Sequence, residues 1–396
     1  MKRWIISMAA LISLWSSWGQ ATIICEETAS GRSDYVDYSV PILGSGMIIS
    51  AMRDLPIGGI LFRQVIKNPD TSWLGLMFCG SDTNEIEFAN RTLRFGPEGA
   101  LPAVISDWSG HNVYDTGVPG IGMVLRFSVY SGTTSDNKIF PYYFVEPDVP
   151  FKPGGLSASS ITVNQFSIEL LLVKTGDIPA GTWSVPINLP PMVIDVTLTG
   201  NVGDFTKDYG PRLNISGAVN ILAGTCQTPD VNVPMGEHDV SGSTVNTNWV
   251  DFNISLLNCP PMYGRYGSGN PTISMATNQW LVTGSIEGPP DQPNTLGLSL
   301  NPVSGYETLA SGGQCAKLTP GTDTASGACL EIQNATGTNV LTNSFTNTVT
   351  DSGLTLLASA ASYQIPLKAR YGLIAGSSTM TAGKADSAIE FTINYQ

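Results

Sequence analysis

The chain has 396 residues, of which 42% are hydrophobic and only 13% charged, with 19 Lys and Arg against 32 Asp and Glu. A formal net charge of −13 argues against nucleic acid or an anionic membrane surface as partner, because both are bound through basic surface. With 42 Gly and 26 Pro beside abundant Ser, Thr, Asn and Val, the composition is that of an all-β extracellular protein with many turns.

Residues 1–21 read as a secretory signal. Lys2 and Arg3 form a positive start, residues 4–14 are an apolar run broken only by Ser7 and Ser13, and Gly19 and Ala21 are small residues ahead of a cut before Thr22. Losing Lys2 and Arg3 leaves 17 basic residues against 32 acidic ones. No later segment approaches the roughly 18 uninterrupted apolar residues of a membrane-spanning helix.

Strand-like runs follow at 59–66, 73–78, 121–130, 161–173, 192–198, 218–221, 253–257, 272–275 and 365–370. Turn dipeptides separate them: Pro-Gly at 119–120 and 153–154, Gly-Pro at 96–97, Asn-Pro at 270–271 and 301–302. Short strands at this spacing predict β-sandwiches. The length suits two domains, and the segment 201–212, with its glycines, proline and mixed charge, reads as the linker between residues 22–200 and 213–396. The chain ends on a clear period-2 pattern, Ile389, Phe391, Ile393 and Tyr395 alternating with Glu390, Thr392 and Asn394. An edge strand at a bare terminus exposes unpaired N–H and C=O groups and needs a cover.

Six cysteines allow fifteen pairings. Their clustering favours Cys25–Cys79, Cys226–Cys259 and Cys315–Cys329 as structural disulfides of an exported protein. Two histidines, His111 and His238, with no CxxC and no DxDxDG spacing, predict no metal and no cofactor. A GxSxG elbow is absent, and a Ser-His-Asp triad would have to rely on His111 alone, so the chain reads as a non-enzyme.

From about Leu213 onward four stretches occur in order: 215–226 ending in Cys226, 252–260 carrying Cys259, 363–371, and 383–396 with Gly383 fourteen residues from the end and a penultimate tyrosine. Together they resemble the pilin domain of chaperone–usher fimbriae; Cys315 and Cys329 form an extra pair relative to that pattern. The resemblance implies an immunoglobulin-like sandwich lacking its last strand. Its groove is filled first by a periplasmic chaperone and later, after passage through the outer-membrane usher, by a strand donated by the next pilus subunit. By the same resemblance Gly383, Ile389, Phe391, Ile393, Tyr395 and Gln396 form the chaperone- and subunit-binding strand.

The predicted mature start, residues 22–24 ahead of Cys25, is too short to donate a strand, and a domain of about 180 residues precedes the pilin half. A subunit that accepts a strand without donating one resembles the two-domain tip adhesin of fimbriae. That family implies an elongated, lectin-type immunoglobulin-like sandwich at the N-terminus. It also implies a host glycan or glycoprotein as receptor, and a place at the fimbrial tip on a Gram-negative cell. The alternative is a structural tip or adaptor pilin without strong ligand binding. Sugar sites pair an aromatic platform with polar side chains. Two clusters qualify: Asp107, Trp108, His111, Asn112, Tyr114 and Asp115, and the pair Tyr142 and Tyr143. Trp73, six residues before Cys79, is expected in the core beside the disulfide.

Overall fold

The computed structural model describes residues 23–27, 36–68, 74–82, 84–131, 134–153, 159–163, 166–200, 202, 205–208, 211–240, 242–267, 271–276, 281–285, 290–341, 344, 346–348 and 354–396. The signal segment 1–21, Thr22 and Trp73 lie outside the described residues.

The chain is all-β, and among the described residues its strands fall into five sheets. In the first half they are β1 (Ile23–Glu27), β2 (Val36–Pro41), β3 (Ile48–Met52), β4 (Ile60–Asn68), β5 (Leu74–Ser81), β6 (Glu87–Pro97), β7 (Val104–Trp108), β8 (His111–Asp115) and β9 (Ile121–Ser131). There follow β10 (Thr134–Ile139), β11 (Tyr142–Phe151), β12 (Ser159–Val163), β13 (Phe166–Lys174), β14 (Gly181–Asn188), β15 (Met192–Gly200), β16 (Phe205–Asp208) and β17 (Pro211–Gly224). The remainder holds β18 (Val250–Cys259), β19 (Thr272–Ala276), β20 (Leu281–Ser285), β21 (Leu296–Pro302), β22 (Tyr306–Thr308), β23 (Gln314–Ala316), β24 (Ala328–Asn334), β25 (Thr346–Asn347), β26 (Ala361–Leu373) and β27 (Ile389–Tyr395).

The first sandwich stacks the sheet β20-β19-β4-β13-β9-β8-β7, with β10 beside β9, on the sheet β11-β6-β15-β17-β14, to which β2, β3 and β16 also pair. Alternation decides what each strand buries. Ile168, Leu170 and Leu172 of β13 meet Phe95, Val185, Ile187, Leu213 and Ile215 from the opposite sheet in one core. A small sheet, β1-β5-β12, flanks it, and the Cys25–Cys79 disulfide joins the directly paired strands β1 and β5.

The second sandwich places β18-β26-β24-β23-β22 over β25-β21-β27. Ile254, Leu256, Leu330, Ile332, Ile365 and Leu367 pack there against Leu296, Leu298, Leu300, Ile393 and Tyr395. Cys226–Cys259 packs into this core, and Cys315–Cys329 clips the antiparallel neighbours β23 and β24 with Cα atoms 5.7 Å apart.

The two sandwiches interlock rather than hang from a tether. β17, which sequence reading puts at the start of the second half, runs parallel to β2 and β3 and antiparallel to β14 in the first sandwich. The segment read as a linker contributes β16, which pairs with β15. In the reverse direction Tyr266 and Ile273 enter the first core, and β19 runs parallel to β4. Met52, at the end of β3, is buried in the second core. The polar seam is satisfied as well: Ser50 N–H donates to Gly264 O at 3.0 Å, and Tyr263 N–H donates to Ser50 Oγ at 2.8 Å.

Candidate functional site

Among the described residues the terminal strand β27 pairs with one strand, β21. Thr295 N–H donates to Gln396 O at 2.6 Å and Val303 N–H donates to Ala388 O at 2.9 Å, bracketing a ladder in which Leu298 faces Ile393 and Leu300 faces Phe391. Main-chain groups alternate in direction along a strand. Those of residues 390, 392, 394 and 396 therefore point to β21, and those of Ile389, Phe391, Ile393 and Tyr395 point the other way. Among the described residues no strand pairs with that second edge.

Beside it lies a cleft of about 790 Å³. Its floor is apolar: Phe252 and Ile254 of β18, Leu330 and Ile332 of β24, Ala369 and Tyr371 of β26, with Leu300, Ile389 and Phe391 from the facing sheet. Along β27 the inward side chains Ile393 and Tyr395 are buried, whereas Ile389 and Phe391 are only half-buried where they border the cleft. One wall is the extended segment 231–238; the other is 381–387. Gly383 is required there by close approach. A Cβ on it would stand 2.5 Å from the Ala325 nitrogen and 2.6 Å from the Asp323 oxygen, so any larger residue would push the wall off residues 323–325. Of the strand residues singled out in the sequence, Gly383, Ile389 and Phe391 line the cleft, Ile393 and Tyr395 are buried beyond it, and Gln396 closes the ladder at its far end.

The first aromatic cluster folds as the hairpin β7–β8. Ser109 (φ 52°) and Gly110 (φ 82°) form its two-residue loop, both in the left-handed region as a type I′ turn needs. Asp107 supports the turn by accepting from Gly110 N–H at 3.0 Å. The turn-rich stretch expected from sequence is therefore a two-residue loop with strands on either side, and strand alternation sends its residues to different faces. Tyr114 is buried in the first core, its hydroxyl 3.4 Å from Phe140 O. Asn112 alternates with His111 and is exposed, and Asp115 is exposed with its carboxylate accepting from Gly117 N–H at 2.8 Å.

Trp108 and His111 pair across the hairpin and lie over the outer face of the sheet. Trp108 packs on Val113, Val124, Leu171 and Val173, donates its indole N–H to Gly58 O at 2.8 Å, and has the Arg126 guanidinium 5.8 Å from its ring centre. On the same face Glu169 bridges Arg126 and Arg63. Sequence inspection missed this triad, because Arg63, Arg126 and Glu169 lie on three strands far apart in the chain and no local motif joins them. The second pair divides as well. Tyr142 packs against Phe127 at 5.7 Å, while Tyr143 is 58% exposed on the edge strand β11 beside exposed Phe144 and Val145.

His111 is 7% exposed, and its Nδ1 is buried without a hydrogen-bond partner. Burial pushes its pKa below the ordinary value of 6.5, and the nearby Arg126 charge adds to this, against a partial opposing pull from Asp107 and Glu169. A base whose folded pKa is depressed contributes stability that is complete above the unfolded pKa and is lost as pH falls through the folded one. The melting temperature of the chain is therefore expected to fall as pH drops below about 6.5, and His111→Phe to flatten that slope. Equal slopes in thermal melts of the two proteins would remove His111 from the account.

No family model matches the chain, and no curated protein matches it. Among solved structures it is similar to the CupB6 tip adhesin from Pseudomonas aeruginosa, at 15% identity over 94% of each chain and a TM-score of 0.26. It is also similar to the ambient temperature fimbriae adhesin AtfE from Proteus mirabilis, at 13% identity over 48% of this chain and 100% of that one, with a TM-score of 0.28. By name the first is a tip adhesin and the second a fimbriae adhesin, and neither likeness places a residue of this chain.

Proposed function

We propose that this chain is a fimbrial tip adhesin, joined to its fibre by a strand inserted beside β27, with a host-receptor site in the first sandwich. The observation that carries this reading is the cleft with an apolar floor along an open strand edge. Unpaired N–H and C=O groups supply length-wise recognition, and half-buried Ile389 and Phe391 with Phe252, Ile254 and Leu330 supply pockets for alternate side chains of an extended segment. The occupant is a β-strand of an assembly partner: a periplasmic chaperone first, then a subunit placed beside it through the usher. That β1 is already paired with β5 and tied to it by Cys25–Cys79 supports a subunit that receives a strand rather than lending this one.

Filling the cleft tests the reading. Ala328 is buried at its floor, and Ala328→Phe is expected to cut recovery of a chaperone complex from the periplasm at least about tenfold while leaving the strand content measured by circular dichroism unchanged. A folded variant that still co-purifies in full would sink the strand-acceptor reading.

The receptor is a glycan or glycoprotein in this proposal, bound by the first sandwich within about residues 22–200. One observation favours the alternative, a structural tip subunit without strong binding: Tyr114 is buried, Trp108 is bonded down onto Gly58, and of the candidate aromatics Tyr143 alone is largely exposed. A glycan array probed with the full chain separates the two, with saturable binding weakened by Tyr143→Ala supporting the adhesin.

A further inference from the structure

The open edge of β27 is not open along its whole length. At its C-terminal end the turn after β3 meets it, and that turn belongs to the first sandwich. Asp54 N–H donates to Tyr395 O at 3.1 Å, and Tyr395 N–H donates to Asp54 Oδ2 at 2.9 Å. One residue thus satisfies both main-chain groups of Tyr395, as a residue of a paired strand would. Arg53 extends the contact: its Nη2 donates to Ile393 O at 3.1 Å, and its guanidinium stands 5.5 Å from the centre of the Tyr395 ring.

The turn is held firmly in its own sandwich. Arg53 and Asp54 pair with each other at 2.8 Å, and the buried Lys174 ammonium donates to Arg53 O. Gly58 N–H donates to Lys174 O at 2.7 Å, and Lys174 N–H donates to Gly59 O at 2.9 Å. The cleft stops at the same place: Ile389 and Phe391 line it, whereas Ile393 and Tyr395 do not.

We infer that the Arg53–Asp54 turn is the end stop of the strand-accepting edge, so that an incoming strand can pair with Ile389, Phe391 and the N–H of Ile393 but not with Tyr395. This rests on the strand-acceptor reading and adds to it what sets the register. In a sheet a slip of one residue turns every side chain to the wrong face, so a strand entering a one-sided apolar cleft needs a fixed end. Here that end is supplied by the domain that does not accept the strand. The partner is accordingly an extended segment with alternating apolar residues whose paired stretch ends opposite Ile393, where the Arg53–Asp54 pair presents a filled rung.

Residue-resolved amide hydrogen exchange on the full chain tests this. In the free protein the Tyr395 amide is expected to exchange slowly and those of Ile389 and Phe391 quickly. Asp54→Ala should speed exchange at Tyr395 roughly tenfold or more, because the bond it loses has a charged acceptor. Asp54→Asn, which still offers an acceptor oxygen, should retain most of the protection and shows that the turn is folded. The probe for the strand is a synthetic peptide of about twelve residues alternating Val and Thr. On the unaltered protein it should slow Ile389, Phe391 and Ile393 and leave Tyr395 unchanged. On the Asp54→Ala protein, its footprint should extend to Tyr395.

Equal exchange at Tyr395 with and without Asp54, or the same peptide footprint on both proteins, overturns the end stop alone. No slowing by the peptide on either protein overturns the strand-acceptor reading and the stop with it.

Discussion

Glu169→Ala is expected to destabilise the first sandwich by about 3–5 kcal/mol, the range for removing one partner of a buried ion pair. The Glu169 side chain is 12% exposed, and those of Arg126 and Arg63 are 16% and 23% exposed. Arg126 donates from Nε to one carboxylate oxygen at 2.9 Å and adds a contact from a terminal nitrogen, while Arg63 takes the other oxygen. β13 lies between β4 and β9 in the sheet, so deletion of the carboxylate leaves two guanidinium groups facing each other across it. Nearby Trp108 can accept some of the Arg126 charge on its ring face but offers Arg63 nothing comparable. Replacing all three charged residues by apolar ones of similar volume should restore most of the loss, since buried ionic groups can be exchanged for well-packed hydrophobes at little cost. Urea unfolding of the full chain measures both; a loss below about 1 kcal/mol for Glu169→Ala would show that water reaches this face and screens it.

Tyr266→Ala should cost a comparable amount, about 3–5 kcal/mol, as for other large aromatic truncations in cores. The interest lies in where the loss appears. Tyr266 follows β18 of the second sandwich in sequence, yet its ring is 2% exposed inside the first core, and its backbone bridges to Phe62 of β4. Its neighbour Arg265 donates to Ile60 O at 2.9 Å, so the same short segment is fastened twice. Exchange protection should therefore fall on β4 and β13, more than 90 residues away in the chain, rather than on β18 and β26. Loss confined to β18 and β26 would mean that the sandwiches are energetically separate despite the shared strands.

Much of this arrangement was legible in the residues. Alternation is a local property, repeated every two residues, so strands such as β9, β26 and β27 announce themselves without knowledge of their partners, whereas the run at 161–173 divides between β12 and β13 of different sheets. The three disulfides follow from the same economy, each closing on a nearby cysteine. The alternation of Ile389, Phe391, Ile393 and Tyr395 likewise marks a strand with one apolar face, and their burial in β27 agrees with that reading.

The candidate binding residues fared differently, and for the same physical reason. A run such as 107–115 brings six attractive side chains together in one dimension, but a strand deals its residues alternately to two faces. Tyr114 goes to the core, Trp108 and His111 go to the outer face, and the exposed carboxylate of Asp115 serves a turn. The Arg63–Glu169–Arg126 triad shows the converse, three residues with no relation in sequence that become neighbours through the pairing of β4, β13 and β9.

The amino-acid sequence alone determined that this is an all-β, turn-rich, acidic chain with paired cysteines and a terminal strand of one-sided apolarity, because composition and period-2 alternation are local quantities. Only the tertiary structure decided which edge of that strand stays open, that Arg53 and Asp54 close its end, and that Tyr266 and β17 lock the two sandwiches together. Those contacts join residues up to 341 positions apart in the chain. Their formation depends on which surfaces meet once the sheets have paired, and no local pattern carries that information.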